Sequence, residues 1–242
     1  MAKSKAPFVS LARLIAAQHP TVGDPEESIR SGLIQVDGTI LTNPAARVRR
    51  DAAIRVSQPL TLQGAKKLAA ALDYFEVSPQ GRKALDLGAS TGGFTNVLLE
   101  RGAAVVYAVD AGYGQLLGSI RQDGRVRNLE RTNLGDLTTD LVPDEIDIVT
   151  MDLSYLAVAK AITQVEAVRV ADDADLVALV KPQYELGLAT LPSDPDQLQA
   201  AVRHASEGVE RMRWKVTGVI DSPVRGGRGA VEFLLHARRS PR

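Results

Sequence analysis

Residues 83–99 read KALDLGASTGGFTNVLL, an apolar run and an amphipathic one separated by a break that holds Asp86, Gly88, Ser90, Thr91, Gly92 and Gly93, with Phe94 opening the second run. A glycine-rich turn between strand and helix lets a ligand approach the backbone closely, and the helix N-terminus offers free N–H groups. Dinucleotide sites and phosphate loops share this design. The spacing Gly88, Gly92, Gly93 matches neither, because it is not G-x-G-x-x-G and no Lys-Ser/Thr pair follows. The leading acid, Asp86, opposes a phosphate and suits a ligand with positive charge, a sulfonium or an amino group. Asp110 closes the next apolar run, AVVYAVD, where a carboxylate can accept both hydroxyls of an adenosine ribose. Together these residues describe adenosine with a cationic, unphosphorylated tail, and S-adenosyl-L-methionine has that structure.

The elements that must position these residues follow from periodicity. From residue 83 the apolar strands KALDLG, AVVYAVD, IDIVTMD and DLVALVK alternate with segments of helical period, one carrying Val158, Ile162 and Val165 and another Leu198, Val202, Ala205, Val209 and Met212. Alternation of this kind predicts an α/β fold, a doubly wound Rossmann-like sheet covered on both faces. WKVTGVIDSPV and AVEFLLHAR are joined only by the turn-rich RGGRG, so they are expected to pair as a C-terminal antiparallel hairpin. Ahead of the sheet, a helix over 60–77 places Leu68, Leu72 and Phe75 on one face. Residues 1–57 predict a small α+β domain: a helix end at Gly32, a strand LIQVDG, an Asp-Gly turn, a second strand, and a third near Ile54 closed by Pro59. Residues 58–64 are the expected linker, and 65–242 the main domain.

The chain has 242 residues, 45% of them hydrophobic, enough for one sizeable core and a small satellite. It has no cysteine and three histidines, so disulfides, thiolate chemistry and a zinc site have no support. The opening MAKSKAPFVSLARLIAAQHP carries no long apolar run and no small-residue cleavage site, which predicts a cytoplasmic protein with no membrane partner. Net charge is zero, yet the ends are basic: residues 1–57 hold eight Lys and Arg against five acids, and residues 211–242 eight against two. The cluster RVRRDAAIRV points to phosphate contact.

ALDLGASTGGFTNVLLERGAAVVYAVDAGYGQL, followed by ERTN, VTMDLSYLAV, LVALVKPQYELG and GRGAVEFLL, resembles the FtsJ/RrmJ-type methyltransferases, in particular the TlyA (hemolysin-like) family of ribosomal-RNA 2′-O-methyltransferases. Five ordered motifs carry the likeness over roughly residues 60–237. The resemblance implies a Lys-Asp-Lys-Glu group at the methyl-transfer site, matched here by Lys67, Asp152, Lys181 and Glu232; Asp152 is also expected near the cofactor, and Asn133, in RTN, near the adenine. Asp152 and Lys181 end parallel strands and Glu232 begins an antiparallel one, so all three are expected on the edge where open sheets bind ligands. A ribose 2′-hydroxyl is a poor nucleophile, and a lysine amine can accept its proton when burial and a neighbouring cation weaken the amine's hold on its own. Lys181 is the expected base, Lys67 the neighbouring cation, and the two acids hold the amines. The family's Ser-Arg-Gly-Gly-Leu-Lys approach reads LQGAKK here, leaving Lys66 and Lys67 as alternatives, of which Lys67 fits the spacing to Leu68.

Residues 1–57 resemble the S4-like RNA-binding domain attached to TlyA family members, with FVS at Phe8–Ser10 in place of the usual Arg-Leu-Asp. Arg47, Arg49, Arg50, Arg225 and Arg228 are the expected RNA contacts, and Tyr184 could stack on a base. The implied activity is S-adenosyl-L-methionine-dependent 2′-O-methylation of ribosomal RNA, free or in subunits, at cytidine in the family, by a chain expected to be a monomer. A non-catalytic RNA-binding relative and a small-molecule methyltransferase are the alternatives. Retention of all four charged residues speaks against the first, and the basic appended domain against the second. Membrane damage, implied by the hemolysin name, has no signal peptide, span or basic amphipathic helix behind it.

Overall fold

The computed structural model describes residues 8–20, 22–30, 33–41, 43–56 and 63–241. The chain divides into two compact units, Met1–Leu62 with Leu117–Asp123, and Gln63–Leu116 with Gly124–Arg242. In the first unit, β1 (Phe8–Ser10) leads into α1 (Leu11–Gln18) and α2 (Pro25–Arg30), followed by β2 (Ile34–Val36), β3 (Thr39–Ile40), β4 (Arg47–Arg49) and β5 (Ile54–Val56). Strand β1 pairs antiparallel with β4, and β3, β2 and β5 form a three-stranded sheet in that order. Leu11, Leu14, Ile15 and Ile29 from the helices meet Ile34, Val36 and Val48 in one core. Asp37 and Gly38 join β2 to β3 with φ of 48° and 83°, the paired positive values of a tight hairpin turn. The helix end expected at Gly32, the closure at Pro59 and residues 58–62 of the expected linker lie outside the described residues.

The second unit runs α3 (Gln63–Tyr74), β6 (Lys83–Leu87), α4 (Gly93–Glu100) and β7 (Val105–Asp110), and after a one-turn α5 (Gly118–Arg121) resumes with β8 (Val126–Glu130), β9 (Ile146–Met151), α6 (Val158–Ala161) and β10 (Val170–Val180). It closes with α7 (Pro182–Glu185), α8 (Pro195–Arg211), β11 (Trp214–Asp221) and β12 (Phe233–Arg239). Seven strands form one sheet in the order β11-β12-β10-β9-β6-β7-β8, parallel from β10 to β8, with β12 antiparallel to both its neighbours. The apolar runs become strands because successive residues of β6 and β9 are buried on both faces, the condition that removes alternation from a parallel strand. The chain builds outward from β6 through β7 to β8, then crosses back to place β9 on the other side of β6, so strand order reverses between β6 and β9. Ligands of open α/β sheets bind outside the carboxyl ends at such a reversal.

Three expectations change. Strand β8 was not expected, since VRNLE is an edge strand whose polar residues interrupt any apolar run. Strand β10 starts five residues early, through the polar VADDA, with a register shift against β9 between Val170 and Asp175. Helix α3 ends at Tyr74 rather than at 77, and residues 60–62 of the expected helix lie outside the described residues: Leu68 and Leu72 are buried on it, whereas Phe75 follows its end and stacks on His236 at 5.0 Å.

Asp175, buried on β10, accepts hydrogen bonds from Arg82 Nη1 at 2.6 Å and His236 Nε2 at 2.8 Å, and pairs with Arg238 Nε at 3.4 Å. Burial alone would raise its pKa, but the bonds from His236 and Arg82 outweigh it and hold the carboxyl below its ordinary value. A lowered acid contributes stability above its unfolded pKa and loses it as pH falls. Asp175→Ala is expected to lower the unfolding free energy at pH 7 by about 3 kcal/mol, read by urea denaturation, because it strands partners of a buried charge.

Candidate active site

The loop after β6 is built by what glycine permits. Gly88 has φ of +86°, and a Cβ there would stand 2.4 Å from the backbone oxygen of Asp152. Asp152 N in turn donates to Leu87 O at 3.0 Å, so the exits of β6 and β9 are locked edge to edge. Gly88 N and Ala89 N both donate to Val109 O on β7, at 2.9 and 3.1 Å. Gly92, at φ +97°, caps α4, and Gly93 approaches Gly64 on α3 so closely that an added Cβ would lie 3.2 Å from Gly64 Cα. The start of α3, and Lys67 one turn on, is thereby seated beside the loop.

Asp86 does not face the loop's open side. It is fully buried, and its two oxygens accept hydrogen bonds from Thr95 Oγ1 of α4 at 2.6 Å and Thr150 Oγ1 of β9 at 2.8 Å. The expectation of direct contact with a cationic ligand is corrected on this point: the sheet register sets Asp86 beside Thr150, and the carboxylate ties β6, α4 and β9 together from beneath. Burial pushes Asp86 up to about 6 despite both threonine bonds.

Asp110 ends β7, half-buried, with Oδ2 accepting from Ser90 N at 2.8 Å and Oδ1 from Gly112 N at 2.6 Å. Each carboxylate oxygen has a second lone pair, so two acceptor positions remain for a diol. Ser90, at φ 48°, also donates through Oγ to Gln115 Oε1 at 3.2 Å. Around this acid stand exposed Tyr113, with Arg131 at 4.0 Å over its ring, and exposed Tyr155, whose hydroxyl is raised first by burial and then by the charge of Asp110. Thr91 is half-buried and Phe94 buried beneath the loop. Asn133 caps a short helical turn, its backbone N and Nδ2 donating to Asp136 Oδ2 at 3.3 and 3.1 Å.

The four charged residues form two ion pairs. Lys67 Nζ lies 2.5 Å from Glu232 Oε2, both almost fully buried, while Lys66 beside it is exposed. Helix phase decides this, because Lys67 shares the inward stripe with Leu68, Ala71 and Leu72. Lys181 Nζ lies 2.7 Å from Asp152 Oδ1 and donates to Ser154 Oγ at 2.8 Å. Asp152 and Lys181 directly follow β9 and β10, and Glu232 directly precedes β12, whose Phe233 is in register with Val180. Lys181, Ser154, Tyr184, Arg228 and Glu232 line a cavity of about 190 Å³. The RGGRG turn closes on it, since a Cβ on Gly226 would meet Glu232 Oε1 at 2.1 Å. Among the described residues no group of His, Asp and Glu gathers as a metal site.

Residues 62–239 match the FtsJ-like methyltransferase family model. Over 221 residues the chain is 39% identical to the 16S/23S rRNA (cytidine-2′-O)-methyltransferase TlyA of Mycobacterium tuberculosis, covering 88% of this chain and 82% of that one. The chain belongs to the FtsJ-like methyltransferases, in the TlyA family. It is also 30% identical to Hemolysin A of Brachyspira hyodysenteriae over 87% of this chain and 91% of that one. A solved candidate hemolysin from Streptococcus thermophilus superposes with a TM-score of 0.71 at 28% identity, over 97% of this chain and 89% of that one. No described helix of this TlyA-family chain is long and apolar enough to cross a membrane.

Sequence reasoning missed Thr95, Thr150, Ser154 and Gln115. Ser154 carried a signal, lying two residues after Asp152, but the threonines show their role only once the sheet register is known. Of the expected RNA contacts, Arg47, Arg49, Arg50, Arg225 and Arg228 are all exposed. Arg47 donates to Phe8 O at 3.2 Å, and Arg49 pairs loosely with Asp37 and Asp51 at 3.8 and 3.5 Å.

Because the folded TlyA-family chain holds the Asp86 proton more tightly than the unfolded one, the contribution to stability is full below about pH 4 and is lost as pH rises through about 6. Asp86→Asn keeps the threonine partners and removes this titration. Its stability relative to the unmutated chain, from urea unfolding, is expected to rise by about 2 kcal/mol between pH 4 and pH 7.

Proposed function

We propose that this chain transfers a methyl group from S-adenosyl-L-methionine to the 2′-hydroxyl of a ribose in ribosomal RNA, at a cytidine. The observation that carries the reading is the pair of lysine–carboxylate contacts, Lys181–Asp152 and Lys67–Glu232, at the carboxyl edge beside the reversal of strand order. The TlyA relative named as a cytidine 2′-O-methyltransferase, 39% identical to this chain, supports the choice of acceptor.

The residues present fit the methyl donor. Asp110 keeps two acceptor positions for the ribose diol, and the loop Gly88–Gly93, Ser90 and Thr91 included, brings backbone rather than side chain to the ligand at the N-terminus of α4. Asp152 extends the same surface at the exit of β9, and Asn133 lies in the loop after β8. S-adenosyl-L-methionine supplies, when bound, a methyl carbon made electrophilic by its sulfonium.

Lys181 orients the acceptor hydroxyl and, entering the step as the neutral amine, takes its proton as the new bond forms, so that the resulting ammonium is held by Asp152 and donates to Ser154 Oγ, the ion pair seen in the resting structure. Lys67, neutralised by Glu232, presents a fixed cation for the ribose or its phosphate. In-line placement of oxygen, carbon and sulfur supplies much of the rate. The residue 1–57 unit is assigned as an S4-like RNA-binding domain, its exposed Arg47, Arg49 and Arg50 contacting phosphate. Arg225 and Arg228 hold RNA at the turn before Glu232.

Incubation with labelled S-adenosyl-L-methionine and ribosomal subunits is expected to label a cytidine ribose. Lys181→Ala is expected to reduce transfer at least ~100-fold with cofactor binding kept, since a positioned acid–base group is worth that much. Unchanged transfer by this variant would reject the assigned base. Asp110→Ala is expected to weaken cofactor binding ~10-fold or more by calorimetry, at about 1.4 kcal/mol per decade; equal affinity would reject the ribose assignment.

A further inference from the structure

Glu185 is a buried acid with no part in the reaction just described. It ends α7, the single turn that follows Lys181, and its burial is almost complete. Oε1 accepts a hydrogen bond from Val158 N at the start of α6, and Oε2 lies 3.1 Å from His204 Nδ1 on α8. Burial raises its pKa against the opposing effects of the Val158 and His204 hydrogen bonds.

The position of these contacts in the chain gives them their significance. Glu185 N and Tyr184 N both donate to Lys181 O, at 3.1 and 2.9 Å, and Pro182 is buried at the first position of the turn, so α7 is a rigid extension of the Lys181 backbone. Val158 lies six residues beyond Asp152 and four beyond Ser154, at the far end of the loop that leaves β9. One carboxylate therefore clamps the loop leaving β10 to the loop leaving β9, and these loops begin with the two partners of the Lys181–Asp152 pair. The clamp has an unyielding backing: Gly208 of α8 approaches Ala159 of α6 so closely that an added Cβ would stand 2.3 Å from the alanine Cβ.

We propose that Glu185 is a positioning residue for methyl transfer, which sets the Lys181–Asp152 contact by joining the two strand-exit loops that carry it. The proposal rests on the reading of Lys181 given above. An acid of this type is retained at a net cost of desolvation unless its partners are satisfied, and here both oxygens are engaged. Small displacements at a transfer site are costly, with about 1 Å worth up to ~100-fold in rate.

The test uses Glu185→Ala and Glu185→Gln in the full chain, with kcat and KM for ribosomal subunits, calorimetric cofactor affinity, and the ε-carbon NMR signals of Lys181 and Lys67 recorded without RNA. Glu185→Ala is expected to lose ~10- to 100-fold in kcat, with cofactor affinity unchanged and the Lys181 signal displaced while that of Lys67 stays. Glu185→Gln, which keeps an acceptor for Val158 N, is expected to recover most of the loss. A Lys181 signal that does not move in folded Glu185→Ala, or a kcat within twofold of the unmutated chain, overturns the proposal. If the unmutated chain transfers nothing to RNA while the Lys181 signal still moves in the alanine variant, the positioning role stands and the reaction assigned above falls.

Discussion

The contact between Gly88 and the backbone of Asp152 is the constraint on which the rest of the site depends. With φ of +86° and no room for a β-carbon, Gly88 lets the exits of β6 and β9 touch at the reversal of strand order. One exit leads into the loop suited to a methyl donor and the other begins with the acid that pairs Lys181. The loop proposed for the methyl donor and the pair proposed for the acceptor thus start from neighbouring backbones, whose separation is set by main-chain packing rather than by flexible side chains.

Around that contact, charge is arranged in layers of decreasing burial. Asp86 lies beneath the loop, fully enclosed by two threonine hydroxyls, and acts on the geometry of three elements at once. Lys67 and Glu232 are nearly enclosed, and Lys181 and Asp152 are the more open pair. A graded arrangement of this kind holds the inner charges in place and leaves the outer amine, the proposed base, the more accessible of the two. The outer pair is also the one whose loops are clamped from behind, by Glu185.

Much of this was legible in the chain itself. The four apolar runs became the central strands because burial on both faces demands continuous hydrophobicity, and the hairpin followed from the lack of a helix between its strands. Lys67 could be preferred over Lys66 once α3 was given a phase. The role of Asp86 was not legible, since its partners are set by the register of β6 against β9, a relation between segments far apart in sequence. The strands Phe8–Ser10, Arg47–Arg49 and Val126–Glu130 were hidden for a different reason: each is short, and the latter two alternate or mix charge with apolar residues.

The insertion of β12 between β10 and β11 carries a consequence for biosynthesis. The Lys67–Glu232 contact joins residues 165 positions apart, and the strand that delivers Glu232 docks between two neighbours made before it. A chain emerging from the ribosome can thus complete the β6–β10 part of the sheet and the loop after β6 while Lys67 still lacks its carboxylate partner. Under the proposed mechanism, competence would arrive only with β12, the strand that delivers Glu232.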